Sequence, residues 1–170
     1  MERTEFERVF PIIRDWIQAT LAAHAPEAKA VGSLNFPRLS QYYSRELLSK
    51  AKAVFVDRVP VPPLSKIGLA QFSDFENMGA DGITYLDTYF VKRREAQRES
   101  LHFHELVHVI QWKVLGVERF LAAYADGLER HSYRNSPLEV MAYDHESRFK
   151  TSPAPYDVEA KVTTELQRFA

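Results

Sequence analysis

Apolar residues recur at helical spacing almost from the start of the chain. Phe6, Val9, Phe10, Ile13, Trp16, Ile17 and Leu21 stand three or four residues apart, the interval that gathers side chains on one face of a helix. They predict an amphipathic helix over residues 5–24 with its aromatic stripe in the core. Thr4 and Glu7 are spaced as a capping box at its start, and Pro11 is a candidate kink. A second helix is predicted over 39–52. Ala53, Val54, Phe55 and Val56 read as a short buried strand, closed by the turn Val59-Pro60-Val61-Pro62-Pro63. Residues 67–79 carry no clear pattern. Residues 82–91, rich in Ile, Thr, Tyr and Phe, form the strongest strand signal. An edge strand at 83–86 leaves backbone groups free to orient a substrate, with Tyr85 or Tyr89 shaping a pocket; a paired interior strand is the alternative.

The second half reads as helices. Residues 95–115 contain neither Pro nor Gly, and Gly116 stands where a helix-ending glycine belongs. Leu101, Leu106, Val107, Val109, Ile110, Val114 and Leu115 make this helix apolar nearly all round in its second half, so it is expected to be buried. Phe120, Leu121 and Tyr124 share one face of a further helix over 117–128. Pro137 opens another, with Asn135 or Ser136 as cap. Ser152-Pro153-Ala154-Pro155 breaks the chain before a last helix, whose Val158, Val162, Leu166 and Phe169 form one apolar stripe. This C-terminal segment, 156–170, is expected to dock on its own domain, the alternatives being a partner contact or a flap over a cleft. The whole pattern describes an α+β, mostly helical fold with a small sheet, in a single domain spanning 1–170.

Composition narrows the function classes. With 170 residues the chain can bury about 70% of its unfolded surface without staples. A formal net charge of −1 leaves no electrostatic footprint for nucleic acid. Lys92, Arg93, Arg94 and Arg98 form a local basic cluster that reads as solvated surface. The absence of cysteine excludes disulfides, thiolate ligands and a cysteine nucleophile, and fits a reducing compartment. The first residues, Met1 to Glu7, are acidic and mixed rather than basic then apolar, and no stretch approaches the ~20 apolar residues of a membrane span. A cytoplasmic protein that avoids membranes is expected.

The candidate chemistry lies in His104-Glu105-Leu106-Val107-His108, a complete H-E-x-x-H motif within the predicted buried helix. Residues four apart stand about 40° apart on one face, so His104 and His108 can grip one ion together. Glu105 lies beside them, suited to act on a water as general base. Two histidines and a glutamate in an apolar interior need partners, which a metal supplies. His102 falls about 200° round the helix from His104 and is expected at the surface. Gln111 shares the face of His104 and is a candidate support for a ligand.

The motif resembles that of zincin metallopeptidases. The metzincin continuation is absent, since Gln111 and Val114 occupy the positions where that pattern has Gly and His. A third ligand therefore comes from further along, and Glu139 in Pro137-Leu138-Glu139-Val140-Met141-Ala142-Tyr143 is the first candidate; Glu146, His131 and Glu129 are the alternatives. Glu139 followed at three residues by Ala142 looks like the glutamate helix of gluzincin-type enzymes, where the small residue lets the two helices approach. The likeness covers the metal-site helices, residues 94–149, and not the first ninety residues. It implies one zinc per chain on His104, His108 and Glu139, and hydrolysis of a peptide or protein substrate with Glu105 as base. Tyr143 and His131 are the candidate oxyanion donors. A zinc hydrolase of another amide or ester, and a non-enzymatic metal-binding module, are the competing readings.

Overall fold

The computed structural model describes residues 3–169, without the side chains of Arg3 and Phe169. Met1 and Glu2 of the acidic start, and the Phe169 side chain of the last apolar stripe, fall outside it. Six α-helices and a four-stranded sheet are described, so the fold is α+β and mostly helical. Helix α1 (Arg3–His24) runs unbroken through Pro11. It already includes Thr4, which therefore lies within the helix rather than capping it. The predicted helix over 39–52 is shorter: a 3-10 turn at Leu39–Gln41 precedes α2 (Arg45–Lys50). The reason is local. Ser44 adopts an extended conformation and its Oγ accepts the Leu47 amide at 3.1 Å, starting the helix there.

The sheet is mixed. Strand β1 (Lys29–Ala30) pairs antiparallel with β2 (Lys52–Val56), which runs parallel to β4 (Thr88–Lys92), itself antiparallel to β3 (Gly82–Tyr85). The strand signal over 82–91 is thus a hairpin. Its two-residue turn places Leu86 at φ 58°, outside any strand conformation. The strand order β1-β2-β4-β3 leaves β3 at the edge. Central residues Tyr89, Phe90 and Val91 are fully buried, as expected of a strand with neighbours on both sides. Between β2 and β3, residues 73–77 form a single short helix, α3 (Ser73–Asn77).

Helix α4 (Glu99–Asn135) carries the H-E-x-x-H motif and consists of helical segments in series: the motif helix ends at Gly116, where the sequence predicts it, and the helix predicted over 117–128 follows. It is interrupted twice. Gly116, at φ 74° and ψ 169°, sits where a side chain is strained, and the chain bends there so that Trp112 stacks on Phe120 with ring centroids 3.8 Å apart. Ser132 holds a similar conformation without being glycine, at a cost of about 1–3 kcal/mol. That second bend leads to Ser136 and Pro137, which open α5 (Pro137–Thr151). Helix α5 packs along the first half of α4, with Phe103 stacked on Phe149 at 4.5 Å and Ala142 fully buried between them. Helix α6 (Val158–Glu165) and a final 3-10 turn place Val158, Val162 and Leu166 in the core. The C-terminal segment therefore docks on the chain itself. Among the described residues, no helix is long and apolar enough to cross a membrane.

Candidate metal centre

The first half of α4 is buried on every side from Leu101 to Trp112. Burial on the face away from the motif corrects the expectation for His102. That residue is fully buried against the sheet, its Nδ1 2.7 Å from the Tyr89 hydroxyl and its Nε2 3.0 Å from the Ala96 carbonyl. Burial drives its pKa down to about 4, against the pull of the Ala96 carbonyl, so it stays neutral.

The opposite face carries His104 and His108. Their Nε2 atoms approach to 3.1 Å, and Glu139 from the first turn of α5 places Oε2 3.4 Å from His104 Nε2 and Oε1 3.4 Å from His108 Nε2. All three side chains are buried, and one ligand atom from each lies within 4.8 Å of the others. This buried His-His-Glu group is placed to hold a metal ion. The donor set fits one: two imidazole nitrogens and a carboxylate converge, and Glu139 Oε2 is buried with no hydrogen-bond partner of its own. Glu146 stands outside this trio. Its Oε2 lies 3.4 Å from His104 Nδ1, on the far side of the ring.

Each member of this group has a support behind it. His108 Nδ1 is 2.7 Å from Gln111 Oε1, and Gln111 Nε2 donates to the Leu138 carbonyl at 3.0 Å, so one amide ties the histidine helix to the glutamate helix. Glu146 plays the corresponding part for His104 at ion-pair distance. The Tyr124 hydroxyl donates to Glu139 Oε1 at 2.7 Å. Such partners fix ring tautomer and orientation in metal sites. Burial alone would push His104 down in pKa, but the Glu139 and Glu146 carboxylates outweigh it and hold the imidazole up at about 10. Burial likewise opposes ionisation of Glu139, but His108 and His104 keep its carboxyl well below the usual range.

Glu105 is held from the sheet side. Thr84 in β3 donates its hydroxyl to Glu105 Oε2 at 2.6 Å. Gly82, two residues earlier on the same strand face, lies against the carboxylate, and a Cβ there would collide with it. Burial raises the pKa of Glu105, and the nearby histidines and Thr84 pull it back only in part. Of the two candidate oxyanion donors, Tyr143 has its ring 4.6 Å from that of His104 and is half-buried. His131 is exposed on the surface and lies outside the buried group, because the bend at Ser132 turns the chain between it and α5. Glu129 is also exposed.

Glu105, His108 and Glu139 line one end of a cleft walled by α1, residues 62–78, β3 and the second half of α4. Tyr85 lines it, whereas Tyr89 lies beneath, bonded to His102. The roles of Tyr124 and Thr84 are not signalled by the sequence, since both depend on how distant elements dock. Gly82 does leave a signal: an isolated glycine in a strand pattern marks close approach of another group. The basic cluster is neutralised at the surface, where Asp81 pairs with Lys92 and Arg94, and Asp57 with Arg93. No protein-family model, curated protein or solved structure matches this chain.

Proposed function

We propose that this protein is a zinc-dependent hydrolase of carboxylic amide or ester bonds, peptide bonds included, built on a gluzincin-like site. The observation that carries the reading is the buried Glu105 carboxylate beside the shared His104–His108–Glu139 group, at the end of a cleft. A site that only stores a metal has no use for that fourth group, which costs free energy to bury. Zinc is favoured because two imidazoles and one carboxylate form a common catalytic zinc set. When bound, the ion supplies Lewis acidity that polarises a carbonyl and makes water more acidic near neutral pH.

The residues of the chain do the rest. His104, His108 and Glu139 hold the ion, with Gln111, Glu146 and Tyr124 fixing their orientation. Thr84 and Gly82 aim Glu105, whose raised pKa makes it a stronger base than an exposed carboxylate. Glu105 takes a proton from the attacking water and returns it to the leaving nitrogen or oxygen. Tyr143, beside His104, is the donor proposed for the developing oxyanion; burial raises its pKa, so it keeps its proton at neutral pH. The cysteine-free composition supports a cytoplasmic setting. The test is Glu105→Gln with zinc added: the variant keeps the metal and loses hydrolysis of a mixed amide, ester and peptide panel by at least about a hundredfold. Undiminished hydrolysis by that variant removes Glu105 from the mechanism.

A further inference from the structure

The cleft that Glu105, His108 and Glu139 line extends beyond them to residues of α1, to Leu64–Phe72 and to Leu128, and is partly open to solvent. Away from the metal end its wall is hydrocarbon: Phe10, Ile13, Leu64, Leu69, Phe72 and Leu128 all face it. Among the described residues, its titratable acidic and basic side chains are Glu105, His108 and Glu139 at the metal end, apart from tyrosines, so the hydrocarbon wall beyond them offers no match to a substrate carboxylate, phosphate or ammonium group. The hydroxyls of its tyrosines already have partners. Tyr85 donates to the Pro60 carbonyl at 2.8 Å, Tyr124 donates to Glu139 at the metal end, and Tyr133 is hydrogen-bonded to Tyr143.

An extended peptide is poorly served by such a wall. It carries polar backbone groups every ~3.3 Å, and each one buried without a partner costs roughly 1–3 kcal/mol. The natural partner is the edge strand β3. Its central carbonyl, that of Thr84, already accepts the Trp112 indole N–H at 3.0 Å, so the histidine helix itself closes the edge at that point. A molecule with one polar group at the metal end and hydrocarbon beyond it meets neither penalty.

We propose that the substrate is a carboxylic amide or ester bearing a linear hydrocarbon chain, with the chain in this cleft and the scissile carbonyl at the His104–His108–Glu139 end. The proposal rests on the hydrolase reading for the position of the scissile bond, while chain binding is a property of the cleft alone. Titration calorimetry on the full chain without metal, using N-methyl alkanamides and N-alkyl acetamides of four to twelve chain carbons, measures it directly. Affinity in at least one series is expected to rise about three- to fourfold per added methylene until the cleft is full. Ala125→Phe, which narrows the same wall, brings the plateau to a shorter chain. Flat affinity across both wild-type series overturns the proposal, whether or not the variant folds. The same amides with the zinc-loaded protein separate the two readings. Chain-length-dependent binding without hydrolysis keeps the hydrocarbon site and removes the hydrolase. Hydrolysis of short peptides at a rate indifferent to chain length does the reverse.

Discussion

The Tyr124 hydroxyl donates to Glu139 Oε1 at 2.7 Å, reaching from beyond the bend at Gly116 to the carboxylate that both histidines face. The bend in α4 thus bears on the metal centre as well as on packing. It returns the second half of the helix over the first turn of α5, which carries Glu139.

Removing that hydroxyl leaves Glu139 under-supported in a buried site. Tyr124→Phe is expected to weaken metal binding by about 10- to 100-fold, as loss of a ligand's outer partner does in other metal sites. Competition with a chelator of known affinity measures it. An unchanged dissociation constant means that Glu139 is oriented by the histidines alone.

Thr84 bears on the proposed base, Glu105, rather than on the His104–His108–Glu139 group. Burial raises the pKa of Glu105, and the Thr84 hydroxyl is one of the groups that pulls it back. In Thr84→Val the carboxylate loses this donor, so its pKa climbs further. Because the proposed base works only when ionised, the acid limb of the pH–rate profile is expected to move to higher pH, with the metal retained. A limb that stays in place assigns it to another group.

The metal-free protein should respond to pH in a particular window. His104 is held up at about 10 from an ordinary value of 6.5 by Glu139 and Glu146, against the opposing effect of burial. Its contribution to stability is therefore complete below pH 6.5 and is lost as the pH rises toward 10. Glu139 is held below its ordinary 4.5, so its contribution is present above that pH and is lost as the pH falls. Urea unfolding of the metal-free chain across pH 5–10 should show the alkaline decline, and His104→Ala should flatten it. A ligand must also shed its proton to bind metal, so zinc uptake near pH 7.5 releases about one proton per chain. Calorimetry in buffers of different ionisation heat counts it; a count of zero contradicts a protonated His104.

How far the sequence reached depended on the range of the interaction. The facing of His104 and His108 is a consequence of helix geometry over one turn, and was legible. Pro137 marked the helix that carries Glu139, and the resemblance of Glu139 and Ala142 to a gluzincin glutamate helix implied its part in the site. His102 was misplaced because a helical wheel tells which face a residue occupies but not how many faces are covered; α4 is covered on all of them here. The predicted strand over 82–91 concealed a hairpin, since Leu86 at φ 58° is not a residue that announces a turn. Thr84 and Tyr124 were out of reach as site residues for a common reason. Their partners lie far along the chain, and only the docking of β3 and the doubling back of α4 bring them to the carboxylates.

The central claim is that His104, His108 and Glu139 hold one metal ion that Glu105 does not ligate. Elemental analysis of the purified, tag-free protein beside His104→Ala, Glu139→Ala and Glu105→Gln tests this directly. The account predicts about one zinc per chain in the wild type, loss of most of it in the first two variants, and full retention in Glu105→Gln. A wild type that carries no metal and takes up none when zinc is supplied contradicts it.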